Sequence, residues 1–143
     1  MHHYPASYTY DEASDEYHIQ YRDFPELGSV TYSVGNIELE ALEGIKNGIA
    51  TQIEEQRPVP MPSALQPDDI AIRIPILMRL KAELHNAMLN TQTSKADMAR
   101  KLGFNAAQMD RLLNVDYASK VEVLEQALYL VGVEADVAVR KIG

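Results

Sequence analysis

At 143 residues, 46% of them apolar, the chain can hold one ordinary domain or two small ones and is expected to be globular. A net charge of −8 argues against a protein that simply coats nucleic acid, and the absence of cysteine excludes disulfides and thiolate metal sites. No apolar run reaches the roughly 18–20 residues of a membrane span. The start, MHHYPASYTY, has neither the cationic nor the apolar stretch of a signal peptide, so a cytoplasmic location is expected. The charge is unevenly spread. Residues 1–70 carry 13 acidic and 3 basic side chains, −10, whereas residues 71–143 carry 8 acidic and 10 basic, +2. That split suggests two modules with different partners, beside the plainer reading of an acidic, well-solvated surface.

In the first half, Tyr4, Ala6, Tyr8 and Tyr10 alternate with polar or small residues, the period of a half-buried strand. Pro5 suggests an edge position or a strand beginning. An acidic hairpin loop, 11–16, leads to a second alternating run in which Tyr17, Ile19 and Tyr21 share a face. Proline and glycine at 25 and 28 break the chain, and Val30, Tyr32 and Val34 predict a third strand of a meander. From 36 to 56, Leu42, Ile45, Ile49 and Ile53 form one helical stripe suited to cover the sheet, with Asn36 as cap and Arg57-Pro58 as stop. Gly44 and Gly48, one turn apart, predict close approach of that helix to the sheet. Residues 57–63, RPVPMPS, read as a stiff extended spacer. Ile70, Ile72 and Ile74 predict a last strand of the same sheet, and the module boundary falls at Pro75, giving units 1–74 and 75–143.

The second half reads as four short helices. Ile76, Leu77, Leu80, Leu84, Ala87 and Met88 make the stripe of the first. The stretch 94–114, SKADMARKLGFNAAQMDRLLN, reads as two helices around a turn at Gly103, packed through Met98, Ala99, Leu102, Met109, Leu112 and Leu113. Glycine there supplies a positive φ at little steric cost. This is the sequence form of a helix-turn-helix, whose second helix enters the DNA major groove. Ser94 with Asp97, Asn105 with Gln108, and Ser119 with Glu122 predict capping boxes at three successive helices. Gly132 ends the fourth, and the alternating tail 133–139 predicts a short strand at a dimer contact.

Catalytic chemistry finds no support. Four carboxylates, Asp11, Glu12, Asp15 and Glu16, share one hairpin loop without metal-ligand spacing, and Asp23 lies apart from them. His2, His3, His18 and His85 converge with no acid, base or nucleophile, and no phosphate loop or nucleophile elbow occurs. Neither enzyme activity, nor a cofactor, nor a metal is expected.

Taken together, the halves resemble the HicB antitoxins of bacterial toxin–antitoxin pairs, in the form that ends in a helix-turn-helix. The resemblance rests on Tyr4-Pro5, on YRDFPE at 21–26, on PMPS at 60–63, and on DMARKLGFNAAQMDRLLN followed by ASKVEVLEQALYLVG at 118–132. It departs from the commoner pattern at 23–27, DFPEL, where Asp-Leu-Pro-Gly is more usual. The resemblance implies an α+β protein: a partial RNase H-like antiparallel sheet with one covering helix, then an all-α DNA-binding domain of Cro and phage-repressor type. It implies a small basic toxin of HicA type, an mRNA interferase, as partner of the first unit, and operator DNA as partner of the second. Opposite charge on the acidic half would hasten encounter with such a toxin.

For a recognition helix over 106–113, the outward residues are Ala106, Ala107, Gln108 and Arg111. Gln108 can pair with adenine, Arg111 with guanine or phosphate, and the alanines can meet thymine methyls. Asn105 is better suited to cap than to read. Ser94, Lys95, Arg100 and Lys120 are candidates for the phosphate backbone. Asp110 and Asp116 would repel it, so affinity should come from a homodimer, or a higher homo-oligomer, on paired half-sites. Beside the antitoxin and repressor stands a second reading, a transcriptional regulator whose N-terminal unit senses a small ligand.

Overall fold

A computed structural model describes residues 3–143, so His2 lies outside the described residues. In chain order come β1 (His3–Asp11), β2 (Glu16–Tyr21), β3 (Gly28–Thr31), a 3-10 turn (Val34–Asn36) and α1 (Ile37–Glu54). Then follow β4 (Ile70–Arg73), α2 (Ile76–Asn90), α3 (Lys95–Leu102), α4 (Ala106–Leu113) and α5 (Val121–Leu130). The strands form one antiparallel sheet in the order β3-β2-β1-β4, so the architecture is α+β with the sheet first and the helices after it. Pro5 lies near the start of β1 opposite Ala71 of β4, one residue before the pairing with β2 begins at Ala6–Tyr21.

The register explains which residues face α1. Tyr4 stands opposite Ile72 and Ala6 opposite Tyr21, and all four are buried, together with Ile19. Tyr8 and Tyr10 share that face but are exposed, and both rings pack on Tyr17 with centroids 5.8 and 5.0 Å away. The third strand corrects the sequence reading. Thr31 and Ser29 pair with Tyr17 and Ile19 on the inner face, whereas Val30 pairs with His18 on the outer one. Tyr32 and Val34 lie beyond the strand and are exposed. Side chains alternate with period two, so the apolar Val30 marks the strand but lies on its outer face. The inward hydroxyl of Ser29 is bonded to that of Tyr21 at 2.7 Å, which satisfies both beneath the helix.

Helix α1 buries Ile37, Ala41, Ile45, Gly48, Ile49 and Ile53. Asn36 makes no side-chain cap, and the helix ends at Glu54, before the proline, with Gln56 beyond its C-cap at φ 57°. The two glycines are matters of space. A Cβ on Gly44 would stand 2.1 Å from the Tyr21 hydroxyl oxygen, and one on Gly48 2.7 Å from Leu27 Cδ1. Alanine at 44 would gain about 1 kcal/mol of helix propensity but must displace a bonded tyrosine, an overpacking cost of about 1–3 kcal/mol plus a hydrogen bond. We expect Gly44→Ala to lose about 1–2 kcal/mol net, read as a lower denaturant midpoint; a stabilised variant would show that the helix stands further off.

The proline segment is extended, as its sequence requires, but it is not a free spacer. Val59 is buried and exchanges two hydrogen bonds with the Asn86 side chain, 2.8 and 2.9 Å. The Tyr4 hydroxyl donates to the Pro60 carbonyl at 2.6 Å, and Ser63 bonds through both its N–H and its hydroxyl to Asp23. Helix α2 is the wall against which the segment lies. Its His85 is buried, and Nε2 donates to the Arg57 carbonyl at 2.8 Å. Burial pushes the imidazole below its ordinary 6.5. The folded chain therefore holds the neutral ring, a contribution present above pH 6.5 and lost as the pH falls below it, where the unfolded chain takes up the proton more readily. We expect the unfolding midpoint to drop between about pH 7 and 5, and His85→Gln, which keeps a donor, to flatten that slope. An equal slope in both proteins would assign the acid sensitivity elsewhere.

The helical half closes around α2, which packs on α1, α4 and α5. Its buried residues are Met78, Lys81, Ala82, Leu84, His85, Ala87 and Met88. Ile76 is exposed, so the inward stripe is turned relative to the one read from the sequence. Met98, Met109, Leu112, Leu113, Leu124, Ala127 and Leu128 complete this part of the core. The tail departs from expectation. Residues 133–143 form no strand: among the described residues the sheet holds only β1 to β4, and the tail's backbone bond, from the Val133 N–H to the Leu128 carbonyl at 2.9 Å, closes the end of α5.

Candidate nucleic-acid interface

Helices α3 and α4 are joined by a turn in which Gly103 has φ 70°, and the Phe104 N–H returns to the Ala99 carbonyl at 2.8 Å. Such a left-handed cap satisfies carbonyls that the helix end would otherwise leave open. Both helices begin with complete capping boxes. The Asp97 N–H donates to Ser94 Oγ at 3.0 Å and the Ser94 N–H to Asp97 at 3.3 Å. At α4 the Gln108 N–H donates to Asn105 Oδ1 and the Asn105 N–H to Gln108 Oε1, both at 2.8 Å. The third expected box is absent. Lys120 occupies the N-cap of α5 without a side-chain bond, and the Ser119 hydroxyl accepts instead from Lys81 at 2.9 Å. The physical reason is a buried ammonium that needs acceptors more than an exposed helix start needs a cap.

All nine residues picked from the sequence, Ser94, Lys95, Arg100, Asn105, Ala106, Ala107, Gln108, Arg111 and Lys120, are exposed. Gln108, Arg111 and Lys120 line one surface groove of about 320 Å³ between α4 and the start of α5. The other six do not line it, and the polar side chains among them are partly engaged. Lys95 pairs with Asp110 at 3.1 Å, and Arg100 pairs with Asp97. The Ser94 hydroxyl, then the Ser94 N–H, hold the Asp97 carboxyl below its ordinary value, so it stays ionised. These pairings temper the two carboxylates that would repel phosphate. Asp110 is met by Lys95, and Asp116 by Lys46 of α1 at 2.9 Å, an ion pair between the halves of the chain. Gln108 is both cap and candidate reader: its Oε1 serves the Asn105 N–H, and its amide NH₂ remains to donate.

Two side chains at this surface escape sequence reasoning. The Tyr117 ring lies 5.6 Å from the Arg111 guanidinium carbon, a flat shelf for a planar cation. Lys81, wholly buried on α2, reaches the same loop from beneath. Burial lowers its pKa to about 8, so the ammonium still predominates at neutral pH. A lone exposed aromatic in the polar run 114–120 was the available signal for Tyr117. For Lys81 it was a cation three residues from both Met78 and Leu84, within the inward stripe.

In the first half, Arg22 makes a two-pronged bond to Asp69, 2.7 and 2.8 Å, and holds that carboxyl below its ordinary value. The hairpin carboxylates serve the turn itself: Asp11 accepts from the Ala13 N–H and Asp15 from the Tyr10 hydroxyl. Among the described residues no group of three or more His, Asp or Glu is arranged to hold a metal ion, and no helix is long and apolar enough to cross a membrane.

Comparison with known proteins assigns this architecture to the antitoxins of bacterial toxin–antitoxin systems. The family model for the HicB-like antitoxin of such systems matches residues 3–83. An antitoxin HicB of Pseudomonas fluorescens (strain Pf0-1) is 32% identical over 115 residues, 77% of this chain and 76% of the relative. An antitoxin HicB of Escherichia coli (strain K12) is 28% identical over 122 residues, 82% and 86% of the two chains. An antitoxin HicB 2 of Photorhabdus laumondii subsp. laumondii is 27% identical over 133 residues, 90% of each. The chain belongs to the HicB-like antitoxin family.

Proposed function

We propose that this antitoxin works in the cytoplasm by holding a HicA-type toxin, a small basic mRNA interferase, and by repressing its own operon. Residues 1–74 hold the toxin, and residues 75–143 form the DNA-binding and dimerisation unit. The observation that carries the repressor half is the groove on which Gln108, Arg111 and Lys120 meet, beside the two capped helices of a helix-turn-helix. Gln108 and Arg111 read base edges from α4, with Ala106 and Ala107 against thymine methyls. Asn105 fixes the start of that helix, and Ser94, Lys95, Arg100 and Lys120 meet phosphates. Lys95 and Arg100 exchange their weak exposed ion pairs for phosphate contacts at small cost.

The toxin-holding half is supported by the net −10 of residues 1–70, which favours a cationic partner. The protein acts as a homodimer on two half-sites. Exposed Tyr129 on α5 and the exposed Val137, Val139 and Ile142 of the tail supply apolar surface for that contact. The direct test is electrophoretic retardation of DNA from upstream of the operon, by the chain alone and with the product of the adjacent short reading frame. Binding to scrambled duplex as tightly as to that DNA would remove the repressor assignment.

A further inference from the structure

Among the described residues, Lys81 is the one lysine or arginine that solvent does not reach, with 0% of its surface exposed. A lysine in such a position is costly unless its ammonium is fully bonded. Here Nζ lies 3.1 Å from the Arg111 carbonyl, 2.6 Å from that of Asn114, 2.7 Å from that of Tyr117, and 2.9 Å from Ser119 Oγ. Arg111 and Asn114 belong to the last turn and C-cap of α4, where open carbonyls concentrate partial negative charge. Tyr117 and Ser119 belong to the loop that carries the chain on to α5. Among the described residues no acidic side chain bonds the ammonium; its acceptors are three carbonyls and one hydroxyl.

Three of these four residues, Arg111, Tyr117 and Ser119, also line the candidate DNA surface. Arg111 presents its guanidinium from α4 and rests it against the Tyr117 ring, while Ser119 and Lys120 form the adjoining wall of the groove. Neutral packing could fill the space behind α4, but it could not hold three carbonyls from two segments at one point. Resting on the operator-binding reading above, we infer that Lys81 is the positioning residue of the recognition helix: its ammonium sets the last turn of α4 and the Tyr117 shelf so that Arg111 meets its base. Lys81 itself touches no DNA. It acts from α2, which the first half of the chain also packs against.

The test measures affinity of the full chain for a duplex from upstream of its operon and for a scrambled duplex of equal length. Lys81→Met keeps the unbranched stem as far as Cε and removes every donor. A loss of positioning should lower operator affinity about tenfold, the effect of one misread base pair, and leave scrambled-duplex affinity within about twofold. A purely structural role would remove folded protein and lower both in proportion. Ser119→Ala, at a position that caps no helix, removes one acceptor and should lower operator affinity about threefold with the same selectivity. A direct phosphate contact by Ser119 would instead weaken both duplexes alike. Unchanged operator affinity in a folded Lys81→Met protein overturns the inference, as does an unchanged Ser119→Ala protein should the methionine variant not fold. Failure of the natural protein to prefer its operator would overturn the operator reading itself, and is seen before any variant is made.

Discussion

The double variant Gln108→Ala/Arg111→Ala is expected to lose retardation of operator DNA while remaining folded. Each good side-chain-to-base pairing is worth about 1–3 kcal/mol, so the two together account for about 2–6 kcal/mol per half-site. That is a loss of about thirtyfold at the least, beyond the range of an ordinary shift assay. The cost to folding is much smaller. Gln108→Ala removes one arm of the α4 capping box but leaves the Asn105 side chain bonded to the N–H at 108. Arg111→Ala removes an exposed stack on Tyr117, worth about 0.5–1 kcal/mol. The carbonyl of residue 111, which Lys81 holds, is backbone and survives the substitution. Thermal unfolding should therefore move by a few degrees while operator affinity collapses. A shift indistinguishable from that of the natural protein would send the reading role to other residues of the surface.

Several features of this surface were legible in the residues because they are local. A capping box is set by two positions three apart and a left-handed turn by one glycine, so Ser94, Asn105 and Gly103 are found where the spacing puts them. The same rule at Ser119 failed for a reason of the opposite kind. The hydroxyl is taken by Lys81, 38 residues earlier, and no local pattern reports that contact. Strand β3 shows a second limit. Its residues alternate convincingly on either face, and only the partner strand settles that Ser29 and Thr31 face the helix. The proline segment shows a third. Its composition fixes an extended backbone, but not that Asn86 and Tyr4 would bind it down. The tail alternates as a strand does, yet alternation without pairing makes no strand. Contacts that an apolar pattern announces were readable even across the chain, as with β4 joining β1 and Gly44 lying against Tyr21; polar contacts between distant segments were not.

The second large effect concerns the toxin. Expression of the adjacent short reading frame alone should arrest growth, and co-expression of this chain should restore it, with the two proteins purifying together. An mRNA interferase is catalytic, so protection requires nearly all of it to be bound, and encounter must be fast relative to cleavage. On the proposed pairing the acidic half would supply that speed. Steered association reaches about 10⁸–10⁹ M⁻¹s⁻¹ at low salt against about 10⁵–10⁶ for neutral surfaces. Raising ionic strength shortens the reach of the field to about 3 Å at 1 M, so the association rate should fall steeply with salt. Dissociation, governed by the packed part of the interface, should change little. Rates that ignore salt would remove charge from the argument while leaving a partner. Absence of any rescue by the full chain would favour the second reading of the first half, a sensor of a small ligand coupled to the same candidate DNA-binding helices. That coupling has a physical route in either case. Helix α2 packs on α1 on one side and on α4 and α5 on the other, and Lys46 of α1 is paired with Asp116 in the loop that Lys81 holds. A partner that displaces α1 would therefore strain the proposed reading surface.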